Sequence, residues 1–138
     1  ATPVTGDIVS YSIGANDTLA SSTLYFLHTD GTWDITDADA VATGASQLLC
    51  VGMGQSARDG VLLRGFVRIA STELLNAPGG AYGANGKPLY VATTDGHFDF
   101  NPPSGSGDFV RIVGHVLADN GTDALLYFNP DKTWIEIA

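Results

Sequence analysis

Apolar residues recur along this chain in short, separate bursts, most of them at a two-residue period. "DIVSYSI" (7–13) alternates, with Ile8, Ser10 and Ser12 on one side and Val9, Tyr11 and Ile13 on the other. "GVLLRGFVRIA" (60–70), "KPLYVAT" (87–93), "HFDF" (97–100), "GDFVRIVGHVL" (107–117), "ALLYFN" (124–129) and "TWIEI" (133–137) read as strands by the same rule. "QLLCVGM" (47–53) is a continuous apolar run, the signature of a strand buried on both faces. Asp30-Gly31, Asp95-Gly96 and Asn120-Gly121 separate three pairs of these runs and predict three hairpins. At Asp30-Gly31 a type I′ turn is expected, because both of its central residues need positive φ. Helix is confined to a turn or two at 71–78, stopped by Pro78, and a turn within 36–46. The segments 76–86 and 101–107 are Gly- and Pro-rich loops.

Two phrases repeat. "LYFLHTDGTWDI" (24–35) and "LYFNPDKTWIEI" (126–137) share Leu-Tyr-Phe, a turn carrying Asp, and Thr-Trp, and they hold the only two tryptophans, Trp33 and Trp134. Phe-Val-Arg-Ile occurs at 66–69 and again at 109–112. Alternation puts Val and Ile on one face and Phe and Arg on the other in both copies. Gly65 and Gly114 fall on the Val/Ile face, where backbone can approach a neighbour closely. The repeats are not tandem, so they do not support a solenoid or propeller. They fit one all-β domain over 1–138, an antiparallel β-barrel or β-sandwich whose terminal hairpins lie side by side and close the sheet.

Length and composition agree with one core: 138 residues, 44% hydrophobic and 15% charged. The net charge is −9, and the six basic residues are scattered along the sequence. A nucleic-acid partner needs a basic cluster, so none is expected, and an anionic membrane is disfavoured on the same ground. Cys50 is the single cysteine and sits in an apolar run, which predicts a buried side chain and no intrachain disulfide. No apolar run approaches a membrane span, and "ATPVTGD" (1–7) lacks the pattern of a signal peptide. The expected setting is therefore the cytosol or an assembly formed there, with 1–7 as an N-terminal arm.

Candidate chemistry is thin. His97 and Asp99 share a strand face, and Asp34, Asp37 and Asp39 form an acidic knot, but neither has the spacing of a known metal motif. No nucleophile elbow, phosphate loop or dinucleotide fingerprint is present. Only two glutamates exist, Glu73 and Glu136, neither in an evident cleft for glycoside hydrolysis. The expectation is no catalytic residue, no cofactor and no metal. By contrast, Arg64, Phe66 and Arg68 share one strand face and Phe109 and Arg111 another, the composition of an interface core. Phe66, Arg68, Phe109 and Arg111 are the expected subunit or capsid contacts, and Trp33 and Trp134 the expected anchors of the terminal hairpins.

"LYFLHTDGTWDITDADAVATGASQLLCVGMG", "DGVLLRGFVRI", "GKPLYVATTDG", "PPSGSGDFVRIVGHVL" and "LYFNPDKTWIEI" together resemble a family of tailed-phage virion proteins: C-terminal β-modules of tail fibres and capsid decoration proteins. The resemblance covers most of 23–137 and implies a structural, non-enzymatic β-module, commonly a homotrimer, in the virion. With no fibre shaft in the chain, it implies a decoration (cement) protein that binds the outside of the head and bridges major capsid protein subunits. The alternative it carries is a tail-fibre or spike module that recognises a host-surface glycan or protein, with Tyr82 and Tyr90 available to stack on sugars.

Overall fold

The computed structural model describes residues 4–10, 18–79 and 82–138. The last part of the predicted strand 7–13 and the middle of the 76–86 loop therefore lie outside the described residues. The chain is all-β. Its strands are β1 (Val4–Val9), β2 (Leu24–Leu27), β3 (Trp33–Ile35), β4 (Leu49–Gly52), β5 (Val61–Ala70), β6 (Leu74–Leu75), β7 (Pro88–Val91), β8 (Phe98–Asp99), β9 (Phe109–Val110), β10 (Ile112–Asp119), β11 (Asp123–Phe128) and β12 (Ile135–Glu136). Three single 3-10 turns, at Val41–Thr43, Ala57–Asp59 and Ser71–Glu73, are the helical content of the described residues, one turn more than expected.

The main sheet runs β3-β2-β4-β5-β11-β10-β7-β8-β6, with β1 added on β5, while β9 and β12 form a separate pair. All pairings are antiparallel except the two-residue β6–β8 contact, which is parallel. The sheet curls into a half-barrel rather than closing. The first hairpin and the last residues do not meet: β4 and β5 stand between β2 and β11, and β12 pairs with β9. The ends of the sheet, β3 and β6, are only three and two residues long, which limits their use as templates for another chain.

β5 is the rib of the fold. β1 pairs with it from Val61 to Val67, β4 at Val61 and Leu62, and β11 from Gly65 to Ala70. A residue has one neighbour on each edge, so β1 occupies one edge and β4 and β11 follow each other on the other. Across β5 from β1, the register slips by one at Leu63, a β-bulge. Beyond it, alternation is strict: Gly65, Val67 and Ile69 are buried, and Arg64, Phe66 and Arg68 are exposed. Burying Val67 and Ile69 is worth roughly 1.5–3 kcal/mol each.

Gly65 lies opposite Gly6 of β1 and Phe128 of β11, and Gly114 of β10 lies on the far side of Phe128. A Cβ on Gly65 would come within 2.7 Å of the Gly6 Cα, and one on Gly114 would run into the Tyr127 carbonyl oxygen. Close backbone approach at both glycines is thus as expected. Phe128, flanked by two residues without side chains, is fully buried and meets Phe98 edge-on at 6.4 Å.

The Leu-Tyr-Phe echo has a shared purpose. Leu24 and Phe26 of β2, and Leu126 and Phe128 of β11, all enter the main core. The tyrosines differ: Tyr25 joins a smaller cluster with Trp33 and Cys50, whereas Tyr127 lies on the outer face. Trp33 is buried in that smaller cluster and Trp134 is half-buried against the main core, so the two tryptophans pack in different places. Cys50 is buried, as its apolar setting predicts.

Two local expectations are corrected. The first hairpin is not a type I′ turn. Gly31 has φ +87°, but Asp30 is not among the residues with positive φ. The Gly31 N–H donates to the His28 carbonyl and the His28 N–H to the Thr32 carbonyl, giving a three-residue loop. The Asp30 carboxylate fixes that loop by accepting the Thr32 N–H and hydroxyl. The second correction concerns 107–117, which is not one strand. It breaks at Arg111 into β9 and β10, and the β10–β7 register slips again around Val113. The slip resets the alternation, so Phe109, Arg111 and Val113 face inward while His115 and Leu117 face out.

The two Phe-Val-Arg-Ile copies therefore bury opposite faces. Phe66→Ala should cost under about 1 kcal/mol, and Phe109→Ala about 3–5 kcal/mol, in urea unfolding. Equal losses from the two substitutions would contradict the inversion.

Candidate functional site

The outer face of β1, β5, β11 and β10 carries a group of unburied apolar and cationic side chains. Strand register sets its rows. Thr5, Phe66, Tyr127 and His115 lie opposite one another across four strands, Arg68 lies opposite Leu125, and Arg64 opposite Asp7. The Phe66 and Tyr127 rings stack with centroids 5.2 Å apart at 30°. Even so stacked, Phe66 stays 43% exposed, and Leu117 on the same face 48%. Arg64 donates to the Asp7 carboxylate at 3.1 Å in a solvent-exposed pair that adds little stability. Two aromatic rings and two leucines, edged by Arg64, Arg68 and His115, give an amphipathic surface suited to packing against another chain.

Of the four expected contact residues, Phe66 and Arg68 are on this face. Phe109 and Arg111 are not, and that expectation is corrected: Phe109 is fully buried and Arg111 is 7% exposed. Strict alternation from Arg111 to His115 would have put them outside, but the slip at Val113 turns them in. Arg111 spends its guanidinium on the chain's own backbone. Its Nε donates to the Asp131 carbonyl at 2.7 Å, and its Nη1 donates to the carbonyls of Gly44 at 3.0 Å and Gln47 at 2.7 Å. One side chain thus ties two loops to the end of β9. Burial pulls its pKa below the usual arginine value, with the Asp131 charge opposing that shift.

The candidate metal ligands do not converge. His97 Nδ1 meets the Asp95 carbonyl and its Nε2 lies 3.6 Å from Glu73, while Asp99 accepts from the Asn76 side chain and the Asn101 N–H. In the acidic knot, Asp34 lines an open hollow of about 510 Å³ beside Tyr25, Trp33 and Asp30. Asp37 accepts the Asp39 N–H. The nearby Asp37 charge raises the Asp39 pKa first, loss of hydration second, and the Asp108 charge third. Asp108, buried and accepting the Gly105 N–H, was not legible as part of this group because 69 positions separate it from Asp39 (108 − 39). Among the described residues, no three His, Cys, Asp or Glu side chains are grouped so as to hold a metal. Among them, too, no helix is long and apolar enough to cross a membrane.

No known protein-family pattern matches the chain. No curated protein sequence matches it.

Two outcomes follow from these geometries. The Asp39 pKa is raised, so the folded state binds that proton more tightly than the unfolded chain does. Its charge therefore opposes folding at neutral pH, and the opposition disappears as pH falls below 3.8, the ordinary aspartate value. Asp39→Asn should raise the melting temperature at pH 7 and leave it unchanged at about pH 3; a shift of the same size at both values would show that charge is not the cause. Arg111→Met strands three carbonyls and should cost about 3 kcal/mol in denaturant unfolding, whereas Arg68→Met, on the exposed face, should cost less than about 0.5 kcal/mol.

Proposed function

We propose that this chain is a structural β-module of a tailed-phage virion, a capsid decoration protein that assembles as a homotrimer on the outside of the head and acts without catalysis. The observation that carries the reading is the outer face of β5, β11 and β10. There Phe66 stacked on Tyr127, with Leu117 beside them and arginines at the margin, stays half-exposed among the described residues. An all-β scaffold with short sheet ends presents such a face rigidly, which favours a repeated contact in a lattice over an induced one. β1 supplies the second element: its described side chains are all exposed, and among the described residues only β5 pairs with it, which leaves its other edge for augmentation by a capsid strand. The acidic balance, with a net charge of −9, suits a protein working outside packaged DNA.

Adhesion to a host glycan is the second reading. It is favoured by the hollow lined by Asp30, Thr32 and Asp34, whose carboxylates and hydroxyl are the groups that hydrogen-bond sugars; Trp33 and Tyr25 border it as buried rings. Tyr82 is 66% exposed in its loop, but Tyr90 is half-buried in β7 and less available.

Light scattering on the purified chain should give three times 14.4 kDa, and Phe66→Asp should reduce it to the monomer with little loss of melting temperature. Labelled protein should saturate expanded phage heads and leave unexpanded heads bare. A monomer that ignores both head forms and binds a glycan on an array would replace this reading with the second.

A further inference from the structure

Arg111 has a bonding capacity that its fold does not use. The guanidinium carries five N–H groups, and the carbonyls of Asp131, Gly44 and Gln47 take those of Nε and Nη1. Among the described residues Nη2 has no acceptor, and no side-chain nitrogen or oxygen there is both sealed from solvent and unpartnered. Nη2 therefore opens outward from an otherwise buried side chain.

The surface there is concave. A hollow of about 360 Å³ is lined by Arg111, Arg64 and Lys132, and by Leu48 and Leu63. Three of the chain's six basic residues thus border one depression in a molecule of net charge −9. The acidic side chain among its lining residues, Asp7, is engaged with Arg64 at 3.1 Å. Leu48 is 50% exposed. A concave, cation-lined wall with apolar borders concentrates positive potential, and a guanidinium already fixed by three backbone bonds needs no reordering to receive an anion.

We infer that this hollow is a binding site for a monoanionic carboxylate carried on a branched apolar stem. The carboxylate sits between Arg111 Nη2 and the Lys132 ammonium, and the stem covers Leu48 and Leu63. Asp7 lowers the local positive charge and so disfavours a polyanion such as phosphate. A free branched-chain acid and the C-terminal residue of a polypeptide both present this chemistry. The inference does not depend on the virion reading: Arg111, Lys132, Leu48 and Leu63 lie outside the Phe66–Tyr127 face, and the two surfaces share only Arg64 and Asp7.

The test is a titration of ¹⁵N-labelled protein at low ionic strength, reading the Arg111 Nε–H and the backbone amides of Leu48 and Lys132. Isovalerate should shift these signals saturably, and isovaleramide, the same shape without charge, should not. Lys132→Gln should weaken isovalerate binding by up to about fivefold, the reach of one solvent-accessible charge, and Asp7→Asn should tighten it. Both positions are exposed, so the fold tolerates the changes. A tetrapeptide ending in leucine that binds more tightly than isovalerate, with its amidated form silent, identifies a chain end as the source; equal or weaker binding identifies the free acid. The inference is overturned if neither acid saturates, if the amide binds as well as the acid, or if inorganic phosphate shifts the three signals saturably while isovalerate does not.

Discussion

The backbone ladder of β5 is the constraint on which the rest of the molecule depends. A strand has two edges, and β5 fills both: β1 along one, β4 and then β11 along the other. Its N-terminal end belongs to the sheet that leads to the first hairpin, and its C-terminal end to the sheet that leads through β11 and β10 to β7. The bulge at Leu63 lets one strand serve both, because it redirects the side chains between the two halves. Upstream of it, Val61 and Leu62 feed different hydrophobic clusters; downstream, Val67 and Ile69 feed only the main core. Glycine at 65, with φ +143°, lets β1 come close enough to seal this rib.

Arg111 solves a related problem at the other end of the core. Where β9 gives way to β10, the chain turns a cation inward, and burial of an unpaired charge would be prohibitive. Three carbonyls from loops distant in sequence accept its N–H groups, and the Asp131 charge acts on it from nearby. Carbonyls carry partial charge and cannot be protonated at accessible pH, so this tie persists where a salt bridge would weaken. The same arrangement leaves one guanidinium nitrogen facing outward, which links the integrity of the fold to the chemistry of the neighbouring hollow.

Much of the fold was legible in the sequence, and its failures have a common cause. Short alternating runs marked nearly every strand, Gly65 and Gly114 signalled close backbone approach, and Val67 and Ile69 were placed together on one face of β5, as they are. Alternation misled where a bulge intervened. At 109–112 the same four letters as at 66–69 face the opposite way, because a one-residue slip inverts every side chain beyond it. Turn chemistry misled at Asp30-Gly31, where a side-chain hydrogen bond to Thr32 selects a longer loop. Of the outer face, Phe66 and Arg68 could be read from β5 alone. Tyr127, Leu125 and Leu117 could not, since strand order decides which of them stand beside Phe66. The partners of Arg111 left no trace in the sequence, because any residue can offer a carbonyl.

β1 and β5 differ in how many ladders hold them, and that difference sets an order of opening. Among the described residues β1 is held by one ladder, with its described side chains exposed, whereas Gly65, Phe66 and Val67 are bracketed by strands on both sides. Lifting β1 away uncovers one edge of β5 yet leaves the main core packed against β4 and β11. The molecule thus contains a detachable unit and a cooperative remainder, with amide hydrogens of β1 exchanging through a small local fluctuation and those of central β5 only through disruption of the whole sheet.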